Sequence, residues 1–290
     1  MENRCPSCNV IKWRIKFIKF NRAFLECTEC GFMKMHPVPT REEINRLYNR
    51  SYYQRWGMEE GESEPIRRMK AQTAELLLKR VERFIRPGKL LDVGCAAGHF
   101  MEAAANRGWD VWGVEISEYS AALAKSKFGE RIINGSFLDA NLRENFFDCL
   151  LMSDVLEHLS DPHPALEKTC RLLRPGGLLV VVTPDTSALI SKIFGQYWIT
   201  FQEEHLIYFN RHNIKIFLKR YAFEILCLAI AVKVFNLNYM KAQLSVNYTP
   251  IVTPLFRLIN HLVPLSWRDM NLPFFTGDMC VIAKRGEKNG

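Results

Sequence analysis

The 290-residue sequence has no apolar run long enough to cross a membrane. Its longest apolar stretch, from Ile225 to Val232, has eight residues, whereas a membrane-spanning helix needs about 20. No apolar segment of the kind found in secretory signal peptides follows the first residues. With 48% hydrophobic and 24% charged residues, the composition is ordinary for a globular chain. These absences predict a cytoplasmic protein that buries a full core.

A glycine-containing loop is present, but it lacks the features of two common nucleotide-binding motifs. Gly94 and Gly98 are separated by three residues and follow an apolar run that ends at Val93. No Gly-Lys-Ser or Gly-Lys-Thr follows them, as in a phosphate loop, and no Gly-x-Gly precedes them, as in a dinucleotide fingerprint. The pattern still predicts a strand, a tight loop and a helix N-terminus, which can bring backbone N–H groups to a ligand. Alone, it fits a ligand site or an ordinary turn.

The next apolar run ends in an acid, Glu115, twenty-one residues after Gly94. Because the carboxyl ends of parallel strands face one crevice, Glu115 is expected where a carboxylate can accept both hydroxyl hydrogens of a ribose. The alternative is a solvated acid at a strand end. Further apolar runs lead to Asp139 and Ser153, and another begins at Leu178. Their succession predicts an open parallel sheet.

Four motifs occur in a specific order: Asp92-x-Gly94 with Gly98, the strand-end Glu115, the run Asp154-Val-Leu-Glu157-His158, and Pro175-Gly176-Gly177. Over roughly residues 85–230 this order resembles that of class I S-adenosylmethionine (SAM)-dependent methyltransferases. The resemblance implies an α/β fold, a Rossmann-like, seven-stranded, doubly wound sheet whose last strand is antiparallel. It also implies SAM as the cofactor.

The same resemblance implies which residues bind the cofactor. The loop from Asp92 to Gly98 would wrap the methionine part of SAM, and Glu115 would bind the ribose. Residues further along would border the adenine or the sulfonium. The implied cofactor-binding set is Asp92, Gly94, Cys95, Gly98, Glu115, Ile116, Phe137, Asp139 and Ser153.

Four of the nine cysteines have the spacing of zinc ligands. Cys5 and Cys8 form one Cys-x2-Cys pair, Cys27 and Cys30 form another, and eighteen residues separate the pairs. This spacing predicts a structural four-cysteine Zn²⁺ site. A redox role is the alternative, but a thioredoxin-like βαβ context is missing. The intervening residues alternate between apolar and basic, which predicts a ribbon hairpin.

The chain is predicted to have five segments: a zinc ribbon (1–36), a linker with lid helices (37–86), a SAM-binding core (87–232), a helical insertion or cap (233–276), and a closing strand with a tail (277–290). In the linker, Thr40 and Glu43 are expected to form a capping box, and an amphipathic helix is expected over 66–86. This order, with its Tyr52-Tyr53 segment, resembles methyltransferases of glycan and sugar-nucleotide pathways. The insertion would cap the pocket, pair subunits or touch a membrane surface, and the oligomeric state stays open.

Two Glu-His pairs are the candidate catalytic residues, Glu157-His158 after the fourth strand and Glu204-His205 after the fifth. One histidine is predicted to act as a general base, and a glutamate would orient it or raise its basicity. The alternative is that both histidines are structural. The first pair resembles that of ubiquinone-pathway O-methyltransferases, whose acids and histidine bind a divalent metal, although the outer acid here is Asp154 rather than glutamate. The second resembles a segment of sugar C-methyltransferases.

The favoured acceptor is a small molecule or glycan, namely a sugar nucleotide or a lipid-linked saccharide. RNA is the alternative, because the net charge is +8 and the ribbon interleaves cations with aromatic residues. The ribbon cations are Lys12, Arg14, Lys16, Lys19 and Arg22. Against RNA, no Asn/Asp-Pro-Pro-Tyr motif follows the fourth strand. A non-catalytic SAM-binding scaffold is a third reading, and oxygen, carbon and nitrogen acceptors stay open.

Overall fold

The structure is a computed structural model that describes residues 4–40, 42–43, 63–246 and 252–286. Its strands are β1 (Trp13–Lys19), β2 (Arg22–Cys27), β3 (Met33–His36), β4 (Lys89–Val93), β5 (Asp110–Glu115), β6 (Ile132–Asn134), β7 (Phe147–Ser153), β8 (Leu173–Pro184), β9 (Ile207–Tyr208), β10 (Phe223–Ile230), β11 (Lys233–Phe235), β12 (Leu272–Phe274) and β13 (Asp278–Arg285). Its helices are α1 (Glu64–Val81), α2 (His99–Asn106), α3 (Glu118–Phe128), α4 (His163–Leu172), α5 (Leu189–Phe194), α6 (Asn213–Lys219), α7 (Leu237–Val246) and α8 (Val252–Leu262).

The central sheet has seven strands in the order β10-β13-β8-β7-β4-β5-β6. Strands β8, β7, β4, β5 and β6 run parallel, and β13 runs antiparallel to both of its neighbours. This arrangement confirms the predicted Rossmann-like sheet with an antiparallel last strand. Because β4 and β7 are neighbours in space but not in sequence, the order of strands reverses between them, and ligands of such sheets bind at that point.

The central strands are apolar on both faces because both faces are covered. Leu91 and Val181 belong to the core that includes residues of α4, α6 and the ribbon. Leu90 and Val180 belong to the core that includes residues of α1, α2 and α3. Alternate residues of each strand thus enter opposite cores, which fixes the register of the sheet.

The N-terminal ribbon shares a sheet with a strand from the second half of the chain. Strands β1, β2 and β3 pair in antiparallel order as the predicted hairpin, and β9 adds a fourth strand from a distant part of the chain. Met33 pairs with Tyr208, and Lys34 pairs with Ile207. Asn213 also donates a side-chain hydrogen bond to the carbonyl of Cys30 over 3.2 Å. The ribbon is therefore attached to the core by backbone pairing.

The linker is described in part. The predicted capping box is confirmed, because the Thr40 N–H donates to the Glu43 carboxylate over 2.7 Å and the Glu43 N–H donates to Thr40 Oγ1 over 3.2 Å. The predicted Tyr52-Tyr53 lid segment lies outside the described residues. The helix expected over 66–86 is α1, which ends earlier, at Val81. A turn follows it, as expected before Pro87, which disfavours helical geometry at the preceding residue.

The predicted insertion contains α7, α8 and a two-stranded sheet. In that sheet β11 pairs with β12, so that Lys233 lies opposite Phe274. The two helices therefore follow β11 and precede β12, and the chain then enters β13. Across the described ranges, no helix is both long enough and apolar enough to cross a bilayer.

Candidate active site and metal centre

A cavity of about 1270 Å³ opens at the carboxyl ends of β4, β5 and β7. Its wall includes the loop after β4, the end of β5 and side chains of the insertion. Ordinary small-molecule sites occupy roughly 300–1,000 Å³. The cavity therefore has room for a nucleoside-sized cofactor and a second molecule.

The loop after β4 has a backbone that requires glycine at its first position. Gly94 has φ of +73°, and a Cβ there would lie 2.7 Å from Cγ2 of Val155. Gly98 has φ of +79° and immediately precedes α2. A Cβ on Gly98 would lie 2.9 Å from the ring of Phe128. Both glycines therefore permit close packing that an L side chain would prevent.

Two buried carboxyl groups lie below this loop. Asp92 is 4% exposed and Glu115 is 5% exposed. The Glu115 carboxylate accepts hydrogen bonds from the N–H of Ala96 over 2.9 Å and of Ser117 over 2.8 Å. Burial raises the pKa of both groups, and the charge of Glu115 adds to the rise for Asp92. Because each carboxylate oxygen has two lone pairs, Glu115 can accept further hydrogen bonds from a diol.

Most residues of the predicted cofactor set lie on the cavity wall. These are Asp92, Gly94, Cys95, Glu115, Ile116, Phe137 and Ser153. Gly98 and Asp139 are not among the described residues that line the cavity. Gly98 packs behind the loop, and Asp139 is exposed to solvent. β6 ends at Asn134, and a turn separates it from Asp139, whose role in cofactor binding stays a prediction.

The two candidate histidines lie together on the cavity wall. Their rings meet edge to face, with 4.7 Å between the centroids. Nδ1 of His158 lies 3.0 Å from the carbonyl oxygen of Glu204, and Nδ1 of His205 lies 2.8 Å from that of Thr200. A ring nitrogen beside a carbonyl carries the hydrogen, so each neutral ring has its lone pair on Nε2.

Burial keeps both imidazoles neutral. It lowers the pKa of His158 to about 4. It lowers the pKa of His205 well below its usual range, and the charge of His158 adds to that fall. A neutral imidazole can accept a proton, so the pair meets the chemical requirement for a general base. The charge of Asp154 favours the protonated form of His158, whereas the charge of Lys233 disfavours that of His205, so His158 is the better proton acceptor of the pair.

The two candidate glutamates contact this pair in different ways. Glu204 meets His158 through its main-chain carbonyl. Glu157 is fully buried and accepts a hydrogen bond from Thr183 Oγ1 over 2.9 Å. Burial, followed by the charge of Asp154, raises the pKa of Glu157 well above its usual range. A carboxyl oxygen of Glu157 lies within 4.8 Å of a ring nitrogen of each histidine.

A half-buried lysine on the wall was not predicted from the sequence. Lys233 Nζ lies 2.7 Å from Oδ1 of Asp154 and 2.9 Å from Oδ2 of Asp278. Burial alone would lower the pKa of Lys233, but the two carboxylates outweigh it and the pKa is raised. The only sequence signal is a lone lysine after an eight-residue apolar run. Its partner Asp278 is 45 positions later, so only the closed sheet brings the two together.

This lysine bears on the divalent metal that the ubiquinone-enzyme resemblance implies. Asp154 would be the outer acid of that metal site, yet its carboxylate is paired with the Lys233 ammonium. A divalent cation bound to Asp154 would lie against this ammonium and be repelled by it. Asp154 is therefore a poor fit as a metal ligand, and no step of the reaction is derived through such a metal.

The four predicted zinc ligands converge in the ribbon. Their sulfur atoms all lie within 4.8 Å of one another. Sγ of Cys5 is 3.5 Å from that of Cys30, and Sγ of Cys8 is 3.6 Å from that of Cys27. Thiolates around a tetrahedral zinc ion lie about 3.8 Å apart, given Zn–S bonds of about 2.3 Å. The cluster therefore fits Zn²⁺.

Several basic side chains of the ribbon have partners within the protein. Arg14 and Lys16 both bind the Glu26 carboxylate, with shortest contacts of 2.5 Å and 3.2 Å. Lys19 donates to the carbonyl of Phe201 over 2.6 Å, and the Arg22 guanidinium lies 2.7 Å from Glu43. Two carboxylates, of Glu26 and Glu43, thus neutralise part of the positive charge that favoured a nucleic-acid partner.

A family model described as a methyltransferase domain matches residues 66–228. Among curated proteins, the chain is 30% identical over 129 residues to a ubiquinone biosynthesis O-methyltransferase of Saccharophagus degradans, covering 42% of this chain and 54% of that protein. It is 24% identical over 173 residues to the same-named enzyme of Pectobacterium atrosepticum, covering 57% and 70%. The chain thus spans between about half and seven tenths of the length of these two relatives.

Two solved structures share the fold. A SAM-dependent methyltransferase from Thermotoga maritima is 18% identical, with a TM-score of 0.51 and coverage of 83% of this chain and 98% of that one. A protein from Pyrococcus horikoshii is 17% identical, with a TM-score of 0.54 and coverage of 82% and 99%. The family model leaves the ribbon and the insertion outside the matched residues.

Proposed function

Since the chain belongs to the SAM-dependent methyltransferase family, we propose that it transfers the methyl group of SAM to a hydroxyl of a lipid-linked saccharide. The observation that carries this proposal is the neutral pair His158 and His205 on the wall of a cavity too large for the cofactor alone. Polar groups near the pair, among them Lys233 and Gln202, suit a sugar. The insertion contributes the apolar side chains of Tyr239 and Phe256, which suit a lipid.

Two further observations support an oxygen acceptor of this class. The curated relatives in the comparison are named O-methyltransferases, and their name points to a small-molecule product. The order of ribbon, proline linker and core resembles glycan-pathway enzymes, which favours a saccharide. The ribbon cations, being paired with Glu26, Glu43 and a main-chain carbonyl, give less support to RNA.

The proposal assigns a role to each segment. Residues 1–36 would hold a structural Zn²⁺ through Cys5, Cys8, Cys27 and Cys30. Residues 37–86 would form the linker and lid, and residues 87–232 would bind SAM. Residues 233–276 would cap the acceptor, and 277–290 would close the sheet.

In the proposed mechanism, SAM supplies an electrophilic methyl group on its sulfonium. Nε2 of His158 accepts the proton of the attacking hydroxyl, because the charge of Asp154 favours the protonated ring and that of Lys233 disfavours a charge on His205. The Glu204 carbonyl holds the Nδ1 hydrogen and so orients the ring. His205 packs against the ring edge to face and positions it. Alignment of hydroxyl and methyl group supplies much of the remaining rate enhancement.

The role of Glu115 is tested by cofactor affinity. Glu115→Gln keeps the shape of the side chain but removes its charge, so hydrogen bonds from the ribose hydroxyls are weakened. We expect a loss of about 1.5–3 kcal/mol in SAM binding, roughly 10- to 150-fold in Kd. Isothermal titration calorimetry with SAM measures it. Glu130→Gln is the matched control, because Glu130 is an exposed acid outside the cavity wall. Equal affinity in Glu115→Gln and the wild type would remove Glu115 from the site.

The acceptor is tested by following a labelled methyl group. The protein is incubated with methyl-labelled SAM and, in separate reactions, with lipid-linked saccharides, nucleotide sugars or RNA. We expect label in the lipid-linked fraction, because only that acceptor uses both the polar and the apolar parts of the cavity. Label in the nucleotide sugars or in RNA alone would overturn the proposed acceptor class.

A further inference from the structure

The helix α8 has an apolar face on each side. Phe256 is buried and lines the cavity. On the opposite side, Leu258 is 60% exposed and Leu262 is 74% exposed, and Leu255 and Ile259 are also exposed. A surface helix of a globular protein ordinarily presents polar side chains to solvent. The exposed side of α8 therefore lacks the composition of an ordinary solvated face.

The exposed apolar character continues beyond α8. Leu265 is 76% exposed and Trp267 is 60% exposed, in the turn that follows the helix. Single exposed apolar residues are normal, but a concentration of large ones marks an interaction site. We call the exposed side chains of Leu255, Leu258, Ile259, Leu262, Leu265 and Trp267 the cap surface.

The charges beside the cap surface are mostly positive. Between residues 252 and 276 the charged residues are Arg257, Arg268 and Asp269. Arg257 is exposed on α8 itself. The Asp269 carboxylate accepts a hydrogen bond from Asn238 over 2.8 Å. The whole chain carries a net charge of +8. An apolar face bordered by arginine and tryptophan is typical of helices that lie in the interface of an anionic membrane.

We propose that the cap surface binds the surface of an anionic lipid bilayer and that the acceptor enters the cavity from there. The binding itself follows from the exposed apolar side chains and the neighbouring cations, and the entry of the acceptor rests on the proposed function. The same helix connects the two events, because its buried Phe256 lines the cavity and its exposed Leu258 faces outward. An amphiphilic acceptor would then keep its chain in apolar surroundings while its sugar reaches the histidines.

The test is flotation of the full-length protein with vesicles, without SAM or acceptor. We expect binding to vesicles of phosphatidylcholine and phosphatidylglycerol in equal parts, and weaker binding to phosphatidylcholine alone or at high salt. The double variant Leu258→Glu with Leu262→Glu is expected to reduce the bound fraction by about tenfold or more. Ile15→Glu, which alters a 63% exposed residue of the ribbon, is expected to bind like the wild type.

Three outcomes would overturn the proposal. The wild type does not float with anionic vesicles, the double variant floats as well as the wild type, or Ile15→Glu abolishes binding and so assigns it to the ribbon. Sedimentation velocity without lipid tests whether a second copy of the chain occupies the surface instead. A wild type that dimerises but does not bind vesicles, together with a monomeric double variant, would assign the surface to a dimer interface. Thermal melting and SAM titration of the double variant verify its fold. Vesicle binding without methylation of lipid-linked acceptors would refute the proposed function but not this surface.

Discussion

Replacing His158 by alanine is expected to lower turnover roughly 10²- to 10⁴-fold, the usual contribution of a general base, and to leave SAM affinity unchanged. The variant removes the Nε2 that is proposed to accept the hydroxyl proton. The proposed cofactor contacts are with other residues of the wall, around Gly94 and Glu115. Turnover is measured with the labelled acceptor fraction, and SAM affinity is measured by calorimetry. His212→Ala is the control, because His212 is exposed and is not a cavity residue.

The pH dependence separates a base from a merely structural histidine. Burial lowers the pKa of His158 to about 4, whereas a solvated histidine titrates near 6.5. The neutral, base-competent form therefore persists as the pH falls through 6.5, and the turnover of the wild type should not decline there. A decline with a midpoint near 6.5 would contradict the buried neutral base, as would full turnover in His158→Ala.

Replacing Cys8 by serine is expected to release zinc and unfold the ribbon. Structural zinc in small domains has an apparent binding free energy of about 10–16 kcal/mol, far more than the ribbon's strand pairing supplies. We expect SAM affinity to survive, because the loop after β4 and Glu115 lie in the core sheet. The measurements are metal analysis, limited proteolysis of residues 1–36 and calorimetry with SAM. Cys227→Ser is the control, because Cys227 is outside the cluster.

The same variant is expected to lower turnover. The N–H of Met35, in the ribbon, donates to the carbonyl of Leu206 over 2.8 Å, and the N–H of Leu206 donates to the carbonyl of Glu157 over 2.8 Å. Unfolding the ribbon removes the first of these bonds, so the segments that carry His205 and His158 lose their support. Turnover equal to that of the wild type in a zinc-free protein would show that the ribbon does not position the histidines. Absence of zinc in protein purified without chelator would refute the metal site itself.

Local motifs were predictable because their residues lie within one loop or one turn. Gly94, four positions before Gly98, specifies a close backbone approach whatever lies elsewhere in the chain, and the structure places it where a Cβ would clash. Glu115 follows one strand later, and parallel pairing of β4 with β5 brings it beside the loop. The separation of Asp139 from the end of β6 was not predictable, because it depends on where pairing with β5 stops, which local sequence does not reveal.

The sequence by itself determined the motifs whose chemistry is local. They are the glycine loop with Glu115, the two pairs of cysteines, and the alternation of apolar and basic residues that builds the ribbon hairpin. Only the tertiary structure decided three contacts between distant residues. They are the pairing of β3 with β9 beside His205, the meeting of His158 with His205, and the binding of Lys233 by Asp154 and Asp278. The physical reason is that each of these contacts joins residues at least 45 positions apart in the chain. Such contacts depend on strand order and on the packing of whole elements rather than on spacing in the chain.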